Sequence, residues 1–307
     1  MRKLPLSLLV LLCTIPAHTQ CCPDTPTTNK RQVLWQKLQE DLREVDHKLD
    51  GVMGLAVKDL ASGDTFFINP DEIMPQASSI KIAILSNLYL QAQRGRVKLN
   101  DEYVVRKEDL VPGSDIMLGL TPGITRLTLR DLATMMVAVS DNSATNVLID
   151  RLGMENVNSM LDDLGLHSTR LRRKMMDLKA ASEGRENVAT PREMTYLLET
   201  IYKAKLLNQP ATDDFIKMLS THKESAMLQG LPDDAVAANK PGELEAVRND
   251  SGIVLVKNRP FILCVMTAYL KDEREGSAAI RKIAGLAYSY FDRVGRASQY
   301  GRVVSPK

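Results

Sequence analysis

The sequence predicts an α/β chain of the α+β kind: a mainly antiparallel sheet flanked by helices, with an all-helical lobe inserted into it. Three observations carry this. Strand-like runs with tight-turn signals lie near both ends of the chain, helical periodicity fills the middle, and amphipathic helices open and close the folded part. At 307 residues, with 44% apolar and 25% charged side chains, the chain can bury one large core or two smaller ones.

Residues 1–20 read as a signal peptide. Arg2 and Lys3 are basic, "LPLSLLVLLCTIPA" is apolar but too short to span a bilayer, and Ala17 and Thr19 are small residues suited to cleavage near Thr19 or Gln20. Lipid attachment at Cys21 is the competing reading. Either way the mature protein is expected to be exported, periplasmic or secreted, with no spanning segment. "CCPDTPTTNK" (21–30) reads as a flexible leader, and 31–307 as the folded domain. Its sheet lobe is expected over about 31–74 and 207–307, and its helical lobe over about 75–206.

The domain opens on Leu34, Leu38, Leu42, Val45 and Leu49 at helical spacing. "MGLAVKDL" and "GDTFFINP" follow as two strands joined by "ASG", a hairpin signal. Helices are predicted over 79–93, 128–139, 143–152, 154–164 and 191–206. Thr128 with Asp131 forms a capping-box start, and Thr190-Pro191 puts proline at a first helical position. "AVAANKPG", "VRNDSGIVLV" and "FILCVMTAYL" return to strands, and "SAAIRKIAGLAYSYFDRV" closes the fold as a helix.

Charge and composition exclude several function classes. A formal net charge of +2 gives no field for nucleic acid or an anionic membrane. "RLRRK" (170–174) has no interleaved aromatics and reads as a surface turn. His47, His167 and His222 are scattered, without metal-ligand spacing, so no metal or cofactor is expected. Cys21, Cys22 and Cys264 give no even pairing, so stability must come from the core. The expected partner is a small-molecule substrate, and the expected state is a monomer.

One lysine stands out. "PQASSIKIAI" places Lys81 in a run that otherwise reads as core. Residues three apart share a helical face, so Ser78 can meet Lys81 more readily than Ser79 can. A desolvated amine can accept a serine proton and so activate a weak nucleophile. Further on, "VSDNSATN" sets Ser140-Asp141-Asn142 at the end of an apolar helix. A second serine can relay a proton, and Asn142 offers an amide to both Lys81 and a substrate carbonyl. Asp141 is expected to brace the turn. The third piece is Lys240-Pro241-Gly242 on a strand. Lys240 can anchor an anionic substrate group, and Gly242 lets a substrate lie against the strand. Pro241 has no N–H, so that strand should be an edge, with the N–H of Glu243 also facing the cleft. With the N–H of Ser78 it would form a two-donor oxyanion hole.

Each motif is weak alone; S-x-x-K, S-D-N and K-P-G in this order are specific together. The chain resembles the class A β-lactamase family from about residue 31 to 295, most densely in "INPDEIMPQASSIKIAIL", "MMVAVSDNSATNVLIDRLG" and "KPGELEAVRNDSGIVLV". The resemblance implies Ser78 as acylated nucleophile, Lys81 as proton acceptor and Ser140 as relay. Asn142, Lys240, Gly242 and Glu243 would be substrate contacts, and Arg248 would hold a substrate carboxylate or lie on the surface.

Two departures matter. The family carries Ser or Thr where Pro241 stands, and that hydroxyl helps to bind the substrate carboxylate. The family also carries a glutamate, two residues after a loop arginine, that activates the deacylating water. Aligning on "TRL" sets Arg173 at that arginine and Met175 at the glutamate. A thioether is no general base. Asp177, Glu183 and Glu186 are the nearby carboxylates. The expected activity is therefore acyl transfer through Ser78 with slow hydrolysis of a β-lactam. The alternatives are a D-alanyl-D-alanine peptidase-like or esterase-like hydrolase, and a penicillin-binding sensor that does not turn over.

Overall fold

The computed structural model describes residues 30–298 and 300–303. The expected signal peptide (1–20), most of the expected leader (21–30) and the lipid-attachment candidate Cys21 lie outside the described residues. Helix α1 (Lys30–Lys48) leads into strands β1 (Val52–Asp59) and β2 (Thr65–Ile68). Their turn is held by Asp59, whose carboxylate accepts from the N–H groups of Ala61 and Ser62 at 2.8 and 3.1 Å. The chain then passes through the short strand β3 (Met74–Pro75) into the 3₁₀ turn Ala77–Ile80 and helix α2 (Lys81–Gln93).

The helical lobe continues from α2. Strands β4 (Glu102–Val104) and β5 (Arg126–Thr128) form a small ribbon ahead of α3 (Leu129–Ala138). The capping box at Thr128 and Asp131 is present: the Thr128 hydroxyl accepts from the Asp131 N–H at 3.1 Å, and the Asp131 carboxylate accepts from the Thr128 N–H at 2.8 Å. Helices α4 (Asn142–Leu152) and α5 (Met154–Asp163) follow. A loop carrying the short helix α6 (Leu178–Ser182) then leads to β6 (Val188–Ala189), which pairs with β3. Helix α7 (Pro191–Tyr202) ends where Ala204 takes a φ of 50°, shorter than the run to 206 that periodicity predicts.

Helix α8 (Gln209–Leu219) is a structural addition to the sequence reading, which resumes the sheet lobe at about 207. Phe215, Met218 and Leu219 pack with Leu85, Leu88 and Tyr89 of α2, so α8 shares the core of the helices. The signal was present: Asn208 caps α8 by accepting from the Ala211 N–H, and the three apolar residues fall at helical spacing. The single turn α9 (Ala226–Gln229) leads into β7 (Ala237–Leu244), β8 (Val247–Val254), β9 (Phe261–Ala268) and the closing helix α10 (Glu273–Arg296).

The main sheet is antiparallel throughout, in the order β2-β1-β9-β8-β7. Side chains alternate across a strand, and here the alternation sorts them into two cores. Leu55, Val57, Leu263 and Val265 face Leu42 of α1 and Ile280, Ile283 and Phe291 of α10. Ala56, Cys264, Met266 and Ile253 face the helical lobe. Central β9 is buried along its whole length, which is why it reads as an unbroken apolar run. At the other extreme β7 is an edge, as Pro241 requires. That edge and the Ala77–Ile80 turn form one wall of the cleft between the lobes.

Candidate active site

The turn that carries Ser78 is 3₁₀ rather than α-helical, and the α-helix begins at Lys81. Residues three apart eclipse in a 3₁₀ turn, so Ser78 and Lys81 share a face, but the expected direct contact is replaced by a link through Ser140. Ala77, just before Ser78, has a φ of 47°. A residue with a β-carbon in that region costs on the order of 1 kcal/mol or more, and such strain collects at functional sites. The turn is pressed against the edge strand. A β-carbon on Gly242 would stand 2.6 Å from the Gln76 carbonyl and 2.9 Å from the Ser79 nitrogen, so only glycine fits. Ser79 is fully buried and donates to the Lys240 carbonyl at 3.0 Å, whereas Ser78 is half-buried and lines the cleft.

Lys81 is 1% exposed. Its Nζ lies 2.6 Å from the Ser140 carbonyl, 2.9 Å from Ser140 Oγ and 3.0 Å from Asn142 Oδ1. Ser140 Oγ is in turn 2.9 Å from Ser78 Oγ. The path from Ser78 to Lys81 thus runs through Ser140. All three partners of Lys81 are neutral. Burial first, and the nearby Lys240 second, push its pKa well below the ordinary 10.5; Asp141 opposes them weakly. A neutral amine fits these distances. As placed, Lys81 donates to Ser140 Oγ and Ser140 donates to Ser78 Oγ; with a neutral amine the hydroxyl protons can turn, Ser78 donating to Ser140 and Ser140 to Lys81. That proton order is the one a nucleophile needs.

Ser140 owes its position to strain and to its neighbour. Its φ is 58°. Asp141 caps α4 by accepting from the Ala144 N–H at 2.9 Å, and its other oxygen accepts from the N–H groups of Ile116 and Met117 at 3.2 and 2.9 Å. It braces the turn, as its place before a helix predicts.

The cleft has a volume of about 710 Å³. Ser78, Ser140, Asn142, Lys240, Pro241 and Glu243 all line it, so the structure brings together residues spread over 165 positions of sequence. Pro241 and Glu243 pair opposite Asp250 and Arg248. Antiparallel partners bond at every second residue, and Pro241 has no N–H to give, so the Glu243 N–H shares its outward direction. Lys240 is buried, and burial lowers its pKa to about 7 against the opposing pull of Asp250.

Gly242 is buried against the Gln76–Ser79 backbone rather than open to a substrate, and Arg248 is likewise absent from the cleft lining. Its guanidinium donates to the carbonyls of Leu244 and Val247 at 2.8 and 2.7 Å, capping the β7–β8 turn. Conversely, His222, Lys223 and Glu224 line the cleft, and sequence reasoning passed over them. A lysine between a histidine and a glutamate carries no local sign of burial.

The loop before β6 is tied down at several points. Arg173 holds Glu186 through two bonds of 3.0 Å, and Asn187 accepts from the N–H groups of Arg172 and Arg173. Asn146 clamps Met175 by accepting from its N–H at 2.8 Å and donating to its carbonyl at 3.1 Å. Met175 is buried. Asp177 caps α6, and Glu183 pairs with Arg185 in solvent. Asp177, Glu183 and Glu186 are thus each engaged elsewhere, and none lines the cleft. Among the described residues there is no cluster of three or more His, Cys, Asp or Glu that could hold a metal, and no helix is long and apolar enough to cross a membrane.

Comparison with known proteins agrees with this geometry. The model of the beta-lactamase enzyme family matches residues 37–291. The chain is 25% identical to beta-lactamase SME-1 of Serratia marcescens over 262 residues, covering 82% of this chain and 88% of that protein. A solved β-lactamase from Sphaerobacter thermophilus superposes with a TM-score of 0.75 at 29% identity, covering 83% of this chain and 97% of that one. A point mutant of PBP-A, with glutamate in place of leucine and solved as its acyl-enzyme with penicillin G, superposes with a TM-score of 0.75 at 26% identity, covering 85% and 97%. The antiparallel sheet, the inserted helices and the matched length leave one conclusion: the chain belongs to the beta-lactamase enzyme family, the serine hydrolases of class A.

Proposed function

We propose that the protein is acylated on Ser78 by β-lactams and hydrolyses the β-lactam amide slowly. The observation that carries this is the unbroken path from a buried, neutral-leaning Lys81 through Ser140 to Ser78. In acylation the Ser78 proton passes to Ser140 Oγ, and the Ser140 proton passes to the Lys81 amine. Ser78 Oγ attacks the lactam carbonyl, and the oxyanion is received by the N–H groups of Ser78 and Glu243. When the C–N bond breaks, Lys81 returns the proton through Ser140 to the departing nitrogen. Asn142 supplies contact for the acyl chain, Lys240 supplies charge, and Gly242 lets the Gln76–Ser79 turn pack against β7. No cofactor enters any step.

Hydrolysis of the ester also needs a water with a base beside it. Met175 offers none, and Asp177, Glu183 and Glu186 are committed to a helix cap and to arginines. This favours a second reading: a penicillin-binding or peptidase-like enzyme whose β-lactam adduct persists. A point mutant of the relative PBP-A, with glutamate in place of leucine, was solved as its acyl-enzyme with penicillin G, so a penicillin ester can persist on this fold. The basic and apolar N-terminus supports export, to the periplasm or the medium. Intact-protein mass spectrometry after mixing with penicillin G tests the acylation, and nitrocefin kinetics test the turnover. The expected result is one adduct per chain and a burst near one equivalent. No adduct on Ser78 refutes the proposal.

A further inference from the structure

The cleft contains a second buried lysine that the acylation path does not use. Lys223 is 5% exposed and Lys240 is 1% exposed, and both line the same wall as Ser78. Lys223 Nζ donates to the Leu219 carbonyl at 2.8 Å, and Lys240 Nζ to the Pro241 carbonyl at 3.1 Å. An ammonium has three donors, so each keeps donors to offer to the cleft. The buried carboxylate nearby is Asp250, and its oxygens are occupied. They accept from Ser225 Oγ at 2.5 Å, the Met227 N–H at 3.1 Å and Asn239 Nδ2 at 2.7 Å. One carboxylate therefore stands beside two buried lysines and is hydrogen-bonded to neither. A buried charge left without a partner is costly, and an anion arriving in the cleft would remove that cost.

The two groups expected to receive such an anion are absent from the cleft. Pro241 has no hydroxyl, and Arg248 does not line the cleft: its Nη1 bonds the β7–β8 turn and its Nε lies 3.9 Å from Glu243. We infer that Lys223 is a second anchor, beside Lys240, for an anionic group on the substrate, and that this paired-lysine subsite selects acyl compounds carrying a carboxylate or sulfonate near the scissile bond. The inference rests on the acyl-transfer reading of Ser78. The other charged groups around the pair are His222 and Glu224 on the preceding loop, Glu243 on β7, Asp115 across the cleft, Lys81 on α2 and Asp250 on β8. His222, Glu224, Glu243 and Asp115 are exposed, so water and salt screen them. Burial also brings Lys223 down to about 8 and Lys240 to about 7. Anion affinity should therefore fall as pH rises through that range, and binding should take up protons.

The test compares acylation by penicillin G, an anion, with acylation by a neutral p-nitrophenyl ester, while fluorophosphonate labelling counts competent Ser78. Lys223→Met should lower the penicillin-to-ester ratio of second-order rate constants by roughly 10- to 100-fold, the scale of one hydrogen bond to a charged group. Lys223→Arg should restore much of that ratio. In the wild type, sulfate should slow penicillin acylation competitively and affect the neutral ester far less, a measurement that stands even if Lys223→Met does not fold. An unchanged ratio, or equal loss on both substrates, overturns the anchor and leaves Lys223 a packing residue. Absence of fluorophosphonate labelling in the wild type overturns the acyl-transfer reading, and the anchor with it.

Discussion

Met175→Glu isolates the missing half of the chemistry. Met175 is 7% exposed, and its backbone is fixed on both sides by Asn146. The substitution keeps the side chain's length but replaces buried thioether with carboxyl. Lost apolar burial and a polar group placed in the interior together cost about 2–4 kcal/mol. For a domain of this size the melting temperature should fall by roughly 5–15 °C. The same burial raises the new carboxyl's pKa toward the range where it works as a base. A positioned base is worth roughly 10²- to 10⁴-fold, so the slow phase of nitrocefin turnover should rise by that factor. The burst should keep its amplitude and rate, because acylation uses Ser78, Lys81 and Ser140. Stopped-flow absorbance separates the two phases, and the mass of the trapped adduct reports its lifetime. An accumulating acyl-enzyme that Met175→Glu does not shorten, in a folded variant, refutes the alignment on "TRL" that sets position 175 at the family's deacylating glutamate. Free turnover by the wild type without a burst refutes the absence of a base. Asp177→Asn and Glu186→Gln would then locate it.

Three further outcomes follow from the geometry. Ser78→Ala should abolish β-lactam and fluorophosphonate labelling, whereas Ser79→Ala should keep most of it, since the Ser79 hydroxyl is bound to the Lys240 carbonyl; labelling that survives Ser78→Ala removes the nucleophile assignment. Lys81→Ala should slow acylation by roughly 10²- to 10⁴-fold while the fold survives, and the wild type's rise in acylation with pH, set by the lowered Lys81, should vanish with it; near-normal acylation would return Lys81 to a packing role. Lys240 titrates near 7 when folded against an ordinary 10.5, so the folded state binds fewer protons between those values and stability rises with pH there. Lys240→Met should therefore raise the melting temperature most below pH 7, with the gain fading toward pH 10.5, and a pH-independent difference in thermal scans would contradict this.

Much of the sheet was legible because its strands are short apolar runs bounded by turn residues, β9 buried along its whole length. The ends of β1 and β9 differ by one or two residues from the predicted runs, and Pro241 marks the edge strand before any topology is known. The candidate site was legible as ordered motifs, but their spacing joins Ser78 to Lys81 directly, whereas the hydroxyl that meets the amine belongs to Ser140, 59 residues away. The 3₁₀ geometry at Ser78 was not legible, because nothing local in "PQASSIKIAI" separates a 3₁₀ turn from the first turn of an α-helix. The tie between the turn and β7, through Gly242 and Ser79, is a contact over some 160 residues of sequence. Helix α8 was missed although its cap and periodicity were both present.

The anion-binding side of the cleft shows why residue identity alone misleads. Arg248 has the chemistry to hold a carboxylate, and its place next to Asn249-Asp250 offers no reason to doubt it. Its fate is decided by the tight β7–β8 turn, where Ala246 takes a φ of 56° and the carbonyls of Leu244 and Val247 need donors. A buried or half-buried carbonyl takes the nearest fixed donor, and the guanidinium fork is that donor. Lys223 undergoes the opposite change. On sequence it is one charge among several in "THKESAM", yet it is buried, its Nζ donates to the Leu219 carbonyl at the end of α8, and it lines the cleft. A cation's role therefore depends on which carbonyls and carboxylates the fold has already satisfied around it. In this protein that balance leaves Arg248 off the cleft wall and sets Lys223 on it, so the effect of Lys223→Met on anionic substrates should exceed that of Arg248→Gln. The reverse order in acylation kinetics would mean that Arg248 leaves its turn when substrate binds.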